Sequence, residues 1–282
     1  MANQISCIMD LKSSVTLNNG LQMPLFGLGV FLSKEGSEVE NAVKYALEAG
    51  YIHIDTAAIY GNERGVGKAV RDSGIPRDEV FITSKVWNSD QGYQSTLKAF
   101  DESLDKLGMD YLDLYLIHWP KGDLSIETWK ALEEIYESGK AKAIGVSNFL
   151  VHHLQDFLPS CKIKPMVNQV EFHPILQQPS LQKFCASHKI QIEAWSPIMK
   201  GKVNDVSVLQ ALGAKYGKTP VQITLRWEVQ KQIVTIPKSV KQERIISNAD
   251  IFDFELSEDD MAKIDRLDKN RRIGADPDNF NF

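Results

Sequence analysis

Cysteine is scarce in this 282-residue chain. Cys7, Cys161 and Cys185 are odd in number and share no CxxC or metal-ligand spacing. That argues against a disulfide framework or a thiolate metal centre and for a reducing compartment. No apolar stretch approaches the roughly 20 residues of a membrane helix, and MANQISCIMDLKSS has no basic start followed by an apolar core, so it reads as a short tail rather than a secretory signal. The terminal NFNF matches no lipidation or peroxisomal address. A cationic excess is missing too: the formal net charge of -5 speaks against nucleic acid or an anionic membrane as partner, although a local basic pocket remains compatible with it. A GxGxxG turn after a strand is absent, since GLGVF at Gly27–Phe31 is not one, and a Rossmann unit is thereby set aside. A cytoplasmic protein is the expectation.

What is present is alternation. Strand-like runs begin near Pro24–Val30, Ile52–Asp55, Val80–Lys85 and Leu112–His118, then Ala143–Ser147, Met166–Glu171, Ile190–Trp195 and Val234–Pro237. Amphipathic stretches separate them, which is the mark of parallel βα units. Val39, Ala42, Val43, Ala46 and Leu47 make one apolar stripe at helical spacing, with Ser37 and Glu40 as a capping box and Gly50 as a stop. Thr219, Pro220 and Gln222 open another helix with a cap, a first-turn proline and a capping partner. Between the seventh and eighth runs two helices fit, Val206–Tyr216 and Pro220–Val229, split at Gly217; a last one runs Ser257–Leu267. The expected fold is α/β: a (β/α)8 TIM barrel with an N-terminal β-hairpin around Asn18-Asn19-Gly20 and two additional helices, in a single domain over residues 1–282. The tail from Arg271, rich in Asp, Asn and Gly, reads as a loop on the surface or over the mouth.

Three polar residues stand where strand-like runs end: Asp55 after IHI, Lys85 after VFITS and His118 after YLDLYLI, with Tyr60 one turn beyond Asp55. A barrel gathers the C-terminal ends of its strands at one mouth, where its active sites are built. A phenol is a poor acid near neutral pH; a lysine beside it favours the phenolate, and a carboxylate holds that lysine. The set therefore reads as Tyr60 general acid, Asp55–Lys85 tuning pair and His118 against a carbonyl oxygen. Each residue also has a structural reading: Lys85 on the rim, His118 satisfied beside Trp119-Pro120, Asp55 capping a turn, Tyr60 packed in a loop. A metal-dependent hydrolase using His53, Asp55, Lys85 and His118 is a further reading, but the first strands lack an HxH pair.

Later strand ends carry Ser147-Asn148, Gln169 and Trp195, able to satisfy a carboxamide and to stack on an aromatic ring. The eighth run ends in IPKSV, where Lys238, Ser239 and, on the following helix, Arg244 suit a phosphate monoester and so NADPH better than NADH. A solvated basic turn is the plain alternative.

The motifs GYIHIDTAAIYGNE, ITSKVWN, LDLYLIHWP, AIGVSNF, MVNQVEFHP, AWSP and ITLRW through TIPKSV resemble the aldo-keto reductase family nearly end to end. WNSDQGYQSTL and RIGADPDNF resemble its compact subgroup of microbial glyoxal, methylglyoxal and diketogluconate reductases and protozoan prostaglandin F synthases. The resemblance implies a monomeric enzyme that reduces aldehydes and ketones, dicarbonyls included, with NADPH (oxidised to NADP+) bound across the mouth, and implies prostaglandin F synthase activity as an extra. It assigns the acid to Tyr60, its partners to Asp55, Lys85 and His118, and the nicotinamide carboxamide to Ser147, Asn148 and Gln169 under Trp195. Gly29, Val30 and Phe31 join the cofactor contacts; Ser196 and Ile198 match the pyrophosphate positions; Lys238, Ser239, Val240, Arg244 and Asn248 match the adenosine-phosphate clasp. Phe31, Trp87, His118 and Trp119 are the implied substrate walls, and no metal is implied. Two departures stand out: Ser247 replaces a glutamate common in relatives, and the segment WPKGDLSIETW and the tail are short, which implies a shallower, more open pocket. A non-catalytic use of the same barrel is the alternative function, against which the intact four-residue set argues.

Overall fold

The computed structural model describes residues 9–282; Cys7 and most of the N-terminal tail lie outside them. An antiparallel hairpin comes first, β1 (Ser14–Thr16) and β2 (Gln22–Pro24), turning at Asn18-Asn19-Gly20 with Gly20 at φ +90°. Eight parallel strands follow: β3 (Leu28–Gly29), β4 (His53–Asp55), β5 (Phe81–Val86), β6 (Leu114–Ile117), β7 (Ile144–Ser147), β8 (Val167–Glu171), β9 (Gln191–Trp195) and β10 (Val234–Thr235). They pair in sequence order, and the parallel bridges Phe26–Thr235 and Gly29–Lys238 join the last strand back to the first. Gly27 N–H donates to Thr235 O at 2.9 Å across that seam. The ring is closed, a (β/α)8 barrel.

Helices α1 (Ser37–Glu48), α2 (Glu63–Asp72), α3 (Tyr93–Leu107), α4 (Asp123–Glu137), α5 (Val151–Phe157) and α6 (Pro179–Ser187) follow β3 to β8 in turn. Two helices, α7 (Ser207–Tyr216) and α8 (Pro220–Gln230), lie between β9 and β10, split at Gly217 with φ +66°; α9 (Gln242–Ala249) follows β10 and α10 (Glu258–Asp265) packs on α7. That makes two more helices than an eightfold βα repeat needs, as the spacing predicts. The predicted α1 stripe is the buried face of that helix. Thr219 and Gln222 form the expected reciprocal cap: Gln222 N–H donates to Thr219 Oγ1 at 3.2 Å and Thr219 N–H to Gln222 Oε1 at 2.9 Å. The cap expected at Ser37 does not form. Gly36 is the boundary residue, at φ +89°, and Glu38 turns back to accept the Lys34 N–H at 2.7 Å. A glutamate one residue into the helix reaches the entering chain more directly than Glu40.

Strand boundaries shift inward from the sequence expectation. The regular part of the first run is only Leu28–Gly29 and of the eighth only Val234–Thr235. Both lie at the seam, where isolated bridges carry the pairing instead.

Candidate active site

Asp55 ends β4 and Lys85 lies in β5, both inside the barrel. Lys85 Nζ donates to both Asp55 oxygens, at 2.7 and 2.9 Å, and to Thr56 O at 2.9 Å. All three ammonium donors are thus used, which offsets the cost of burying the charge. Burial works to lower the Lys85 pKa, but the charges of Asp55 and Tyr60 and the hydrogen bonds win, and it stays raised. Burial likewise pushes the Asp55 carboxyl up, against the pull of Lys85 and of the Gln169 amide.

Tyr60 ends a 3-10 turn, Ala58–Tyr60, and is half-buried. Lys85 Nζ lies 5.1 Å from its ring centroid. The tuning is less one-sided than the sequence suggests. Burial raises the Tyr60 pKa, Lys85 lowers it, and the net direction is upward. Lys85 therefore limits the cost of the phenolate rather than making Tyr60 a strong acid. His118 packs edge-on to Tyr60, with ring centroids 5.7 Å apart, and to Trp87, at 5.1 Å. Burial, then the Lys85 charge, drives its pKa well below the usual imidazole value, so the ring is neutral at pH 7. Its Nδ1 has no hydrogen-bond partner among the described residues. The four side chains do meet. His53 does not join them: its Nε2 lies 3.3 Å from Thr83 Oγ1 and 3.7 Å from Glu193 Oε1.

The strand register sets the next group. Ser147 pairs with Gln169, and Gln169 with Glu193, so three inward side chains stand in one row across β7, β8 and β9. Ser147 Oγ–H donates to Gln169 O at 2.8 Å and accepts from Asn148 Nδ2 at 3.2 Å. Asn148, held at φ +65°, donates from Nδ2 to His118 O at 3.0 Å and accepts Trp195 Nε1–H at 2.8 Å. Gln169 Nε2 donates to Asp55 Oδ2 at 2.8 Å and to Glu193 Oε2 at 2.9 Å. The donors of this row are spent inside the protein; what remains for a ligand is acceptor oxygen. Trp195, two residues beyond Glu193 on the same face, is half-buried, with its ring anchored by Asn148. Gly274 of the tail packs on the ring edge so closely that a Cβ there would overlap it.

At the seam, Gly29 and Val30 are buried and Phe31 is exposed, its ring 5.0 Å from Tyr60. Ser196 and Ile198 sit half-buried in the loop after β9, where Ser196 and Met199 both take positive φ. Lys238 and Arg244 are solvent-exposed and, among the described residues, form no salt bridge; Ser239 and Asn248 are buried and Val240 is half-buried. Ser239 Oγ accepts the Lys241 N–H at 3.1 Å just ahead of α9.

The mouth near Trp87 and Trp119 holds more aromatic surface than the sequence reading found. Trp87 stacks on Phe282 (5.8 Å, 13°), and Trp119 meets Phe280 at 4.9 Å and Phe282 at 5.1 Å. Asn88 Nδ2 donates to Phe282 O at 3.1 Å. The tail thus reaches over the mouth, and its two phenylalanines add to the wall of Phe31, Trp87 and Trp119. Their only signal in the sequence is the pair of aromatic residues in NFNF. Two surface depressions, of about 570 Å³ between α7 and α10 and about 1030 Å³ between α5, α6 and the tail, contain none of the four residues. The chemistry-bearing groups set the location of the site, and those hollows do not.

The model of the Aldo/keto reductase family matches residues 26–269. The glyoxal reductase of Bacillus subtilis (strain 168) is 57% identical over 273 residues, covering 97% of this chain and 99% of the relative. A 9,11-endoperoxide prostaglandin H2 reductase of Trypanosoma cruzi (strain CL Brener) is 54% identical over 269 residues, covering 94% and 95%. Among solved structures, a Gox0644 mutant crystallised with NADPH superposes with a TM-score of 0.91 at 42% identity, covering 96% of this chain and 99% of that one. The strand-end residues, the closed barrel and these relatives agree: the chain belongs to the aldo/keto reductase family and is an oxidoreductase.

Proposed function

We propose that the protein reduces aldehydes and ketones, dicarbonyls among them, to alcohols at the expense of NADPH, with Tyr60 as general acid. The observation that carries this is the buried Asp55–Lys85 pair against the half-buried Tyr60 ring, with neutral His118 beside it. When bound, the nicotinamide supplies a hydride to the carbonyl carbon. The acceptor oxygens of Ser147, Asn148 and Gln169 suit the NH2 of its carboxamide, Trp195 suits its ring, and the exposed cations Lys238 and Arg244 suit its 2′-phosphate. His118, being neutral, donates a hydrogen bond to the substrate oxygen without adding charge. Tyr60 gives that oxygen its hydroxyl proton as negative charge develops there, Lys85 stabilises the phenolate left behind, and Asp55 keeps Lys85 in place. Solvent then returns a proton to Tyr60.

Tyr60→Phe removes the proton and little else. Turnover of methylglyoxal, followed by loss of NADPH absorbance, should fall by about 10²-fold or more, while the NADPH Kd stays within about twofold. Carbonyl reduction at the original rate would sink the mechanism. The aromatic wall of Phe31, Trp87, Trp119, Phe280 and Phe282 favours a second activity on a bulky apolar lipid endoperoxide, the substrate class named for the Trypanosoma cruzi relative.

A further inference from the structure

Glu193 takes no part in the reaction as described, yet it is fully buried and is the register partner of Gln169 on the neighbouring strand. The groups around it are His53 and Asp55 on β4, Lys85 on β5, Gln169 on β8 and the Val234 backbone on β10, with the Tyr60 phenol also within electrostatic reach. Lys85 is the only cation among them, and it is already chelated by Asp55. Two carboxylates cannot both stay ionised around one spent ammonium in a dry interior. Asp55 keeps the charge because it holds Lys85; Glu193 keeps a proton, its carboxyl pushed up to about 8 by burial first and then by Asp55. Its Oε1 has no hydrogen-bond partner among the described residues, with His53 Nε2 at 3.7 Å, and Oε2 accepts from Gln169.

We propose that Glu193 is a positioning residue: with Asp55 it engages both protons of the Gln169 amide, so that Gln169 can offer only its carbonyl oxygen to the mouth. This rests on the reading that a nicotinamide docks at Gln169, and it deepens that reading. A carboxamide held by acceptors alone is held by its NH2 end, which fixes one rotation of the ring and one C4 face toward Tyr60. Without Glu193, one buried Gln169 proton loses its acceptor and Asp55 alone still holds the amide, so its carbonyl oxygen is no longer fixed toward the mouth.

The test uses NADPH deuterated stereospecifically at C4 on one face or the other, with methylglyoxal as acceptor, and fluorescence titration of NADPH. Wild type should transfer from one face only. Glu193→Leu should raise the NADPH Kd about tenfold and yield alcohol carrying deuterium from both faces. Glu193→Gln, which keeps an acceptor oxygen in place, should restore single-face transfer and a Kd within about threefold of wild type. In a Gln169→Leu background the change Glu193→Leu should add nothing further. Single-face transfer and unaltered affinity in folded Glu193→Leu would overturn the proposal. So would mixed-face transfer by Glu193→Gln, a variant of matching size that stands as a test even if the leucine variant does not fold. Unaltered affinity and face selection in Gln169→Leu alone would instead reject the docking position itself, and the proposal with it, while leaving the Tyr60 test untouched.

Discussion

Around Lys85 the balance is between the cost of burial and the number of partners. Its ammonium has two carboxylate oxygens and one carbonyl within 2.9 Å, and it reaches the Tyr60 ring at 5.1 Å, so one buried cation serves both the carboxylate and the phenol. Lys238 and Arg244 are the opposite case, exposed cations without an acidic partner among the described residues. Charge-assisted hydrogen bonds of such groups contribute about 1.5–3 kcal/mol. Arg244→Ala should therefore weaken NADPH by roughly tenfold or more, at about 1.4 kcal/mol per tenfold, and leave NADH nearly unaffected. Titrations with both cofactors check this, and equal losses would reject the phosphate assignment. These residues were legible in the sequence because each stands at a strand end or just beyond one. Glu193 was not: it lies inside IQIEAW, where only the register with Gln169 makes it a neighbour of the site.

Among the elements, α2 is seated by glycine. A Cβ at Gly65 would overlap Val39 of α1, and one at Gly67 would overlap the Leu107 carbonyl at the end of α3. The helix also carries buried Glu63, whose Oε1 accepts from Ser84 at 2.6 Å. A backbone carbonyl cannot rotate away as a side chain can. Gly67→Ala should accordingly cost about 1–3 kcal/mol through overpacking, despite the better helix propensity of alanine, and a urea midpoint would register it. Unchanged stability would mean that α2 can slide. The tail is the element least readable in advance. Glu171 holds it by accepting the N–H groups of Ile273 and Gly274 at 2.7 and 3.0 Å, and His152 and His153 bracket Asp278. Those partners are about a hundred residues or more distant in the chain, and no periodicity announces them. Helix caps divide the same way: Thr219–Gln222 is local and was legible, whereas the start of α1 depends on Gly36 and on where the incoming chain leaves the barrel.

For the whole molecule, the buried ionisable groups set how stability responds to pH. His53 is held down to about 3 by burial and then by Lys85, so the unfolded chain binds the extra proton, and stability is lost as pH falls from about 6.5 toward 3. Glu193 is raised to about 8, so the folded chain binds the extra proton. Its contribution is fully present below about 4.5 and is lost as pH rises through 8. Above pH 6.5 only the second effect operates of these two. Glu193 alone should therefore contribute a decline in denaturation free energy between pH 6.5 and 8 with a slope of up to about 1.4 kcal/mol per pH unit, and Glu193→Gln should remove that part of the slope. An unchanged slope in that variant would place the proton elsewhere. The sequence by itself determined the alternation of strands and helices, and hence the barrel, because periodicity and turn residues are local. It also determined which side chains reach the mouth, because strand ends in this fold share one rim. Only the tertiary structure decided what those side chains do to one another: that Lys85 counters the burial of Tyr60 without overcoming it, that the donors of Asn148 and Gln169 are already spent, and that the tail supplies Phe280 and Phe282. Each depends on distances between distant segments, and electrostatic and packing energies are functions of those distances rather than of spacing along the chain.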